Sequence, residues 1–227
     1  MRKMVEIFSS VKGEGTQAGI PMTFCRYAGC NLACSWCDTP YNRVAFNADD
    51  DRLFHMLMEQ DPKWVVFTGG EPLLQLSRDL TTRLKAAGMS LAIESNGTLW
   101  NDALLDLDYV CFSPKTTVEG ITPLKHRLAV KIVEEVKSGS LKINEIRYVV
   151  DQKDPPEIID VPSDFITFSP LMLDSAPYEG FESGLGYAGR WGKVDADSYR
   201  LAMQLVHEYR HRNSRLSVQL HKFIGVR

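Results

Sequence analysis

Short runs of β-forming residues, each ending in glycine or polar residues and most followed by a helical stretch, recur along this chain. That recurrence constrains the fold more than any other feature. "WVVFTGGEP" (64–72) has the pattern of a buried strand ending in glycines, and "LSRDLTTRLKAAG" (76–88) that of a helix closed by glycine. "SLAIESNGT" (90–98), "DYVCFSPK" (108–115), "EIRYVVD" (145–151) and "FITFSP" (165–170) supply further strands with polar ends, and "HRLAVKIVEEVKSG" (126–139) a further helix. Upstream, "MTFCRYAG" (22–29) is a strand leading into a cysteine-rich loop. "NADDDRLFHMLMEQ" (47–60) is a helix with N-cap candidates, acids in its first turn, and Leu53, Met56 and Leu57 at helical spacing. Downstream, "DADSYRLAMQLVHEYRHR" (195–212) is an amphipathic helix and "RLSVQLHKF" (215–223) a last strand.

Strands alternating with helices predict an α/β fold with a parallel sheet, and ligands bind at the carboxyl ends of such strands. At 227 residues the chain is short for a closed eight-unit barrel, which typically takes about 250. Roughly six or seven strands instead predict an open, partial parallel (βα) barrel of reduced size, built as one domain over residues 1–227.

The formal net charge of −3 and a pI near 6.0 give no basic stripe for a polyanion, which argues against direct nucleic-acid binding. The N-terminal "MRKMVEIFSSVKGEG" lacks the apolar core of a secretion signal, and no apolar run reaches membrane-spanning length. A cytoplasmic protein that does not enter the membrane is expected. In that reducing compartment its five cysteines do not form a disulfide framework. Cys25 and Cys111 stand inside strand-like runs and read as buried small hydrophobes.

The other three cysteines cluster as Cys30-x3-Cys34-x2-Cys37 within "CNLACSWCDTPYN" (30–42). Structural zinc takes four ligands, usually as two separated pairs, and here there is neither a second pair nor a nearby histidine. Iron–sulfur clusters are held by thiolates at short spacings, usually four of them. Three thiolates leave one iron open to another ligand, so a trio suggests a cluster that acts on something bound.

With Trp36 just before the third cysteine, this loop resembles the signature of the radical S-adenosylmethionine (SAM) superfamily. "TGGEP" (68–72) and "ESNGT" (94–98) agree with it in order and position. The resemblance implies a 4Fe–4S cluster on Cys30, Cys34 and Cys37, whose open iron chelates SAM. One electron then cleaves SAM to methionine and a 5′-deoxyadenosyl radical. Gly69 and Gly70, lacking Cβ, allow close backbone approach to a ligand. Glu71 suits the SAM ammonium or, equally, a helix N-terminus. Ser95 and Asn96 suit ribose hydroxyls or simple turn formation before Gly97.

Four further features narrow the resemblance: "VKGEG" (11–15), Arg26 four residues before the first cluster cysteine, Thr39 two after the last, and "FSPK" (112–115) with the terminal "QLHKFIGVR". Together they resemble the 7-carboxy-7-deazaguanine synthases of queuosine and deazapurine biosynthesis, over the chain's whole length. These lyases contract 6-carboxy-5,6,7,8-tetrahydropterin to 7-carboxy-7-deazaguanine with loss of ammonia and regenerate SAM.

The resemblance implies Mg²⁺ on Thr39, a residue that would otherwise read as an ordinary turn before Pro40. Trp36, Asp38, Gly70, Ser113, Pro114 and Lys115 are expected on SAM. Val11, Lys12, Gly13, Glu14, Arg26, Thr68, His221 and the terminal carboxylate of Arg227 are expected on the substrate. Glu14 suits paired N–H donors of the 2-amino-4-oxo ring, and Arg26 the substrate carboxylate. A homodimer and an electron donor such as flavodoxin are also implied.

Four positions depart from the family pattern. Lys12 stands where Gln is expected and brings a cation next to the pterin; Ser169 replaces a Gln, Arg147 a Lys and Ser95 a Thr. A glycyl-radical activase or another small radical SAM enzyme would share the cluster loop but has no need of "GEG", Arg26 or a histidine near the terminus. A non-catalytic zinc or electron-carrier module is the remaining alternative.

Overall fold

The computed structural model describes residues 1–34, 36–37, 39–115, 128–153, 155–172 and 195–221. Its nine described strands form one open sheet: β1 (Arg2–Val11), β2 (Pro21–Tyr27), β3 (Phe46–Ala48), β4 (Trp64–Gly69), β5 (Ser90–Ser95), β6 (Tyr109–Phe112), β7 (Glu145–Val150), β8 (Phe165–Pro170) and β9 (Ser214–Leu216), in the order β3-β1-β2-β4-β5-β6-β7-β8-β9. From β2 to β9 every neighbouring pair is parallel, while β1 runs antiparallel to both β2 and β3. This is the expected open barrel, with two antiparallel strands added at one edge.

Strand side chains alternate between two faces, and the two faces differ here. Cys25, Tyr27, Val65, Phe67, Leu91, Ile93, Val110, Phe112, Ile146, Tyr148, Ile166 and Phe168 share one core. That core also takes Leu53 and Leu57 from α1 (Asp50–Met58), Leu80 and Leu84 from α2 (Arg78–Ala86), Ile132 from α3 (Val130–Ser138) and Ala202 from α4 (Ala196–Glu208). The opposite face begins apolar, with Met22, Phe24, Val66 and Ala92 packed beside Trp64 and Tyr109. Two residues further along the same strands it becomes polar, at Arg26, Thr68 and Glu94.

Local chemistry sets the helix starts. Asp49, Ser77 and Asp195 each accept a hydrogen bond from a backbone N–H three residues on, at 2.9, 3.3 and 2.8 Å. Gly139 ends α3 with φ of 79°, a left-handed conformation that favours glycine.

Two boundaries differ from the sequence expectation. Asn47 reads as the start of a helix, but pairing of Arg2 with Ala48 draws 46–48 into β3 and leaves Asp49 as the cap. The strand expected over 215–223 stops at Leu216, and the chain then turns so that Leu220 N–H donates to the Gly13 carbonyl at 2.8 Å.

Leu91 is fully buried in the central strand β5. Leu91→Ala should cost about 2–5 kcal/mol, the usual range for a core Leu truncation, read as a lower denaturation midpoint with an unchanged slope.

Candidate active site

Strand register collects the polar residues into a row. Arg26 on β2 pairs with Thr68 on β4; Glu94 on β5 pairs with Cys111 on β6, which pairs with Glu145 on β7; Arg147 pairs with Thr167 on β8. The Thr68 hydroxyl donates to Glu94 Oε2 at 3.3 Å, so the row is continuous across β4 and β5.

Arg147 binds the row together. Its Nη1 donates to Glu94 Oε1 at 2.6 Å and to Glu14 Oε2 at 3.0 Å, and its Nε donates to Glu145 Oε1 at 2.9 Å. Lys12 Nζ reaches the same Glu94 Oε1 at 2.6 Å. Arg147 and Lys12 are almost wholly buried, with side chains 5% and 4% exposed, whereas Glu14 and Glu94 keep 20% and 22%. The carboxylates therefore face the open side while their cations lie beneath. Burial opposes the charge on Glu94, yet Lys12 and Arg147 hold its carboxyl well below the usual range.

Glu145 is completely buried and fully used. Thr167 donates to Oε1 at 2.6 Å, while Tyr109 and the Thr16 backbone N–H donate to Oε2 at 2.5 and 3.1 Å. Burial raises its pKa, but Arg147 and these hydrogen bonds bring it down to about 2. Through Thr16 this carboxylate also anchors the N-terminal loop, in which Gly15 N–H donates to Ser217 Oγ at 2.9 Å.

The sequence "GEG" has a steric explanation here. A Cβ on Gly13 would lie 2.0 Å from His221 Nδ1. At Gly15, where φ is +73°, it would lie 2.2 Å from Arg147 Nη2. His221 thus rests on Gly13, beside the row.

At the other end, Arg26 Nε donates to Glu6 at 2.9 Å and Nη1 to the Thr39 hydroxyl at 3.2 Å. The two residues expected around a substrate carboxylate and a magnesium ion therefore lie side by side. Asp38 and Arg227 lie outside the described residues, and Val11 ends β1.

Cys30, Cys34 and Cys37 occupy the loop after β2. Burial raises the Cys30 and Cys34 thiols; Cys34 and Cys37 raise Cys30 further, and Lys115 pulls Cys34 down. The three thiols are thus close enough to feel one another. Among the described residues, however, no three His, Cys, Asp or Glu side chains converge on a single ion position.

Two turns meet this loop. A Cβ on Gly69, where φ is +116°, would lie 2.3 Å from the Tyr27 carbonyl oxygen, and one on Gly70 would lie 2.0 Å from that of Gly29. Only glycine lets β4 turn so close to the end of β2. Glu71 accepts from Ser95 Oγ and Leu73 N at 2.9 Å each and from Asn96 N at 2.8 Å, joining the two turns with its carboxylate buried. Asn96 in turn donates to Asn31 of the cysteine loop at 3.0 Å. Ser113 N–H donates to the Ser95 carbonyl at 2.7 Å, and beyond buried Pro114 the Lys115 ammonium sits 5.0 Å from the Trp36 ring centroid. Burial lowers the Lys115 pKa, opposed by Cys34 and Glu14.

Sequence reasoning missed Glu94, Glu145, Tyr109 and Thr16 as members of the site, and noted Arg147 only as a departure. The available signal was the alternation in "EIRYVV", which puts two opposite charges, Glu145 and Arg147, on one face of a strand.

Glu145 makes stability depend on acid. Its pKa is about 2 when folded against an ordinary 4.5, so its stabilisation is complete above about 4.5 and lost as pH falls toward 2. The wild type should lose stability across that window. Glu145→Gln should be less stable than wild type at pH 7 by about 3–5 kcal/mol, because Arg147 keeps its charge without this partner. The gap should close as the pH is lowered, which urea denaturation at stepped pH will measure.

Residues 25–150 match the model of the Radical SAM superfamily. A 7-carboxy-7-deazaguanine synthase of Methanospirillum hungatei is 31% identical over 227 residues, covering 99% of this chain and 86% of that one. The Haemophilus influenzae protein of the same name is 30% identical over 224 residues, covering 98% and 93%. The crystal structure of QueE from Escherichia coli shares the fold with a TM-score of 0.63 at 23% identity, covering 97% of this chain and 94% of that one. With the cysteine trio, the two glycine turns and the polar row assembled on one sheet edge, the chain belongs to the radical SAM superfamily and, within it, to the 7-carboxy-7-deazaguanine synthase family.

Proposed function

We propose that the protein converts 6-carboxy-5,6,7,8-tetrahydropterin to 7-carboxy-7-deazaguanine, releasing ammonia, in queuosine or a related deazapurine pathway. The observation that carries this reading is the polarity of the row. A guanidinium, Arg26, stands beside Thr39 at one end, and a carboxylate, Glu14, stands on Arg147 at the other. The substrate has a matching polarity, with a carboxylate at one end and the N–H donors of a 2-amino-4-oxo ring at the other.

In this reading Arg26 receives the substrate carboxylate as a permanently charged, two-pronged donor. Glu14 accepts from the ring, Thr68 contacts it between the two, and His221 covers it from Gly13. Val11 and Gly13 supply backbone to the same loop. The 4Fe–4S cluster on Cys30, Cys34 and Cys37, with SAM bound, supplies the one-electron chemistry that starts the reaction. Trp36, Asp38, Gly69, Gly70, Glu71, Ser95, Asn96, Ser113, Pro114 and Lys115 hold SAM. Glu71 does so by fixing the two turns to each other.

Magnesium belongs on Thr39. The Arg26 guanidinium donates to that hydroxyl and repels a bare divalent ion, so the cation needs the substrate carboxylate between them. An electron donor such as flavodoxin, a homodimer and a cytoplasmic location complete the proposal. The −3 charge suits a small-molecule enzyme better than one that binds tRNA directly. No described helix is long and apolar enough to cross a membrane.

The test is anaerobic turnover. The reconstituted protein, given reductant, SAM, Mg²⁺ and the carboxypterin, should form 7-carboxy-7-deazaguanine with little net loss of SAM, as read by mass spectrometry. SAM cleavage with the pterin intact would overturn the substrate assignment. Mn²⁺, used as a spectroscopic substitute for Mg²⁺, should bind at least about tenfold more tightly with substrate present, and Thr39→Ala should abolish that gain.

A further inference from the structure

The contacts assigned above make no use of Arg147, and Lys12, expected on the substrate from the sequence, has its ammonium on Glu94 Oε1 at 2.6 Å. Both cations are buried beneath the row, and neither is needed as a direct contact. Three carboxylates, Glu14, Glu94 and Glu145, converge on the Arg147 guanidinium, and they come from the N-terminal loop, β5 and β7. Nη1 is divided between Glu14 at 3.0 Å and Glu94 at 2.6 Å. Glu94 is the closer competitor, and Lys12 meets the same Glu94 oxygen at 2.6 Å. With Lys12 in place the group carries two positive and three negative charges. Without it a single guanidinium would face all three carboxylates, and the nearer Glu94 would draw Nη1 from Glu14.

Glu14 has little else to hold it. It lies between two glycines, on a loop fixed at either side by Leu220, Ser217 and Glu145 but not at its own side chain. Arg147 is the one hydrogen-bond partner found for the Glu14 carboxylate among the described residues. A Cβ on Gly15 would collide with Arg147 Nη2, so the loop is shaped to lie directly on this guanidinium.

We propose that Arg147 and Lys12 are positioning residues for substrate recognition: Arg147 aims the Glu14 carboxylate at the ring donors of the substrate, and Lys12 keeps it there by neutralising the competing Glu94. The inference rests on the carboxypterin reading and deepens it. Lys12 then influences the ring through Glu94 and Arg147, with its ammonium held on Glu94 Oε1 at 2.6 Å. Arginine suits the 147 position because a fork of separate N–H groups can serve three carboxylates in fixed directions, whereas a lysine presents one point charge.

The experiment compares wild type, Arg147→Lys, Lys12→Gln and Glu14→Gln, and combines each of the first two variants with Glu14→Gln. Each protein, cluster-loaded and with SAM, is titrated calorimetrically with the carboxypterin and with its analogue lacking the 2-amino group. Turnover of the carboxypterin is measured in parallel. Loss of a hydrogen bond to a charged group corresponds to about tenfold or more in affinity.

Arg147→Lys should therefore raise both Kd and KM at least about tenfold, with kcat within about threefold, and should cut the preference for the 2-amino compound by a similar factor. Lys12→Gln should shift the same quantities in the same direction by about three- to tenfold. On the Glu14→Gln background neither substitution should change the ring preference further.

Equal weakening of both ligands, or a fall in kcat with the preference intact, would reduce the two cations to a structural role and overturn the proposal. A further loss of preference on the Glu14→Gln background would place them on the ring itself and would also overturn it. Should Arg147→Lys fail to fold, Lys12→Gln alone decides, since an unchanged preference there excludes the charge-sharing arrangement. Wild-type protein that neither binds nor converts the carboxypterin would instead defeat the substrate reading, and the inference with it.

Discussion

A buried guanidinium is the constraint on which this site depends. Taking an arginine out of water costs several kcal/mol unless its N–H groups find acceptors. At Arg147 those acceptors arrive from three separate parts of the chain. Glu145 comes from the same strand, two residues away. Glu94 comes from β5 and requires β6 to lie between them in register. Glu14 comes from the loop between β1 and β2, which must fold back over the sheet. Satisfying one side chain therefore fixes the relation of the N-terminal loop to the parallel strands, and Tyr109, Thr16 and Thr167 complete the hold through Glu145.

The two faces of the sheet divide the work. Helices α1–α4 bury one face against a continuous apolar core, and that burial supplies the driving force for folding. The other face begins with a small apolar cluster and turns polar toward the carboxyl ends of the strands. There the parallel arrangement leaves strand ends and loops to carry chemistry. The glycines at 13, 15, 69 and 70 serve this edge in a common way. Each lets two backbones, or a backbone and a buried side chain, approach closer than a Cβ would permit. Their presence in motifs next to ligand sites is thus also a packing requirement, met before any ligand arrives.

Much of this was legible in the sequence. Period-two runs with polar ends identified β2 and β4–β8, and cap residues with apolar spacing identified the helices, because those signals arise within a few residues of chain. The cysteine spacing with Trp36, "TGGEP" and "ESNGT" identified the radical SAM chemistry. The strand β3 and the early end of β9 were not legible. Both are decided by pairing partners more than forty residues away, Arg2 with Ala48 and Leu220 with Gly13. Glu71 shows the same limit: it does cap a short helix start through Leu73 N–H, as its neighbours allow, but its further bonds to Ser95 and Asn96 come from a turn more than twenty residues away.

The sequence by itself determined the fold class, through local periodicity, and the family, through the resemblance its short motifs carry. Only the tertiary structure decided which charges meet. Lys12, Glu14, Glu94, Glu145 and Arg147 span more than 130 positions, and no local rule relates them. Strand register places Glu94 and Glu145 on one level, and the shape of the N-terminal loop brings Lys12 and Glu14 down to them. The physical reason is the range of the forces involved. Helix and strand preferences act over a few residues, whereas the cost of an unpaired buried charge is settled by whatever partners the completed fold supplies.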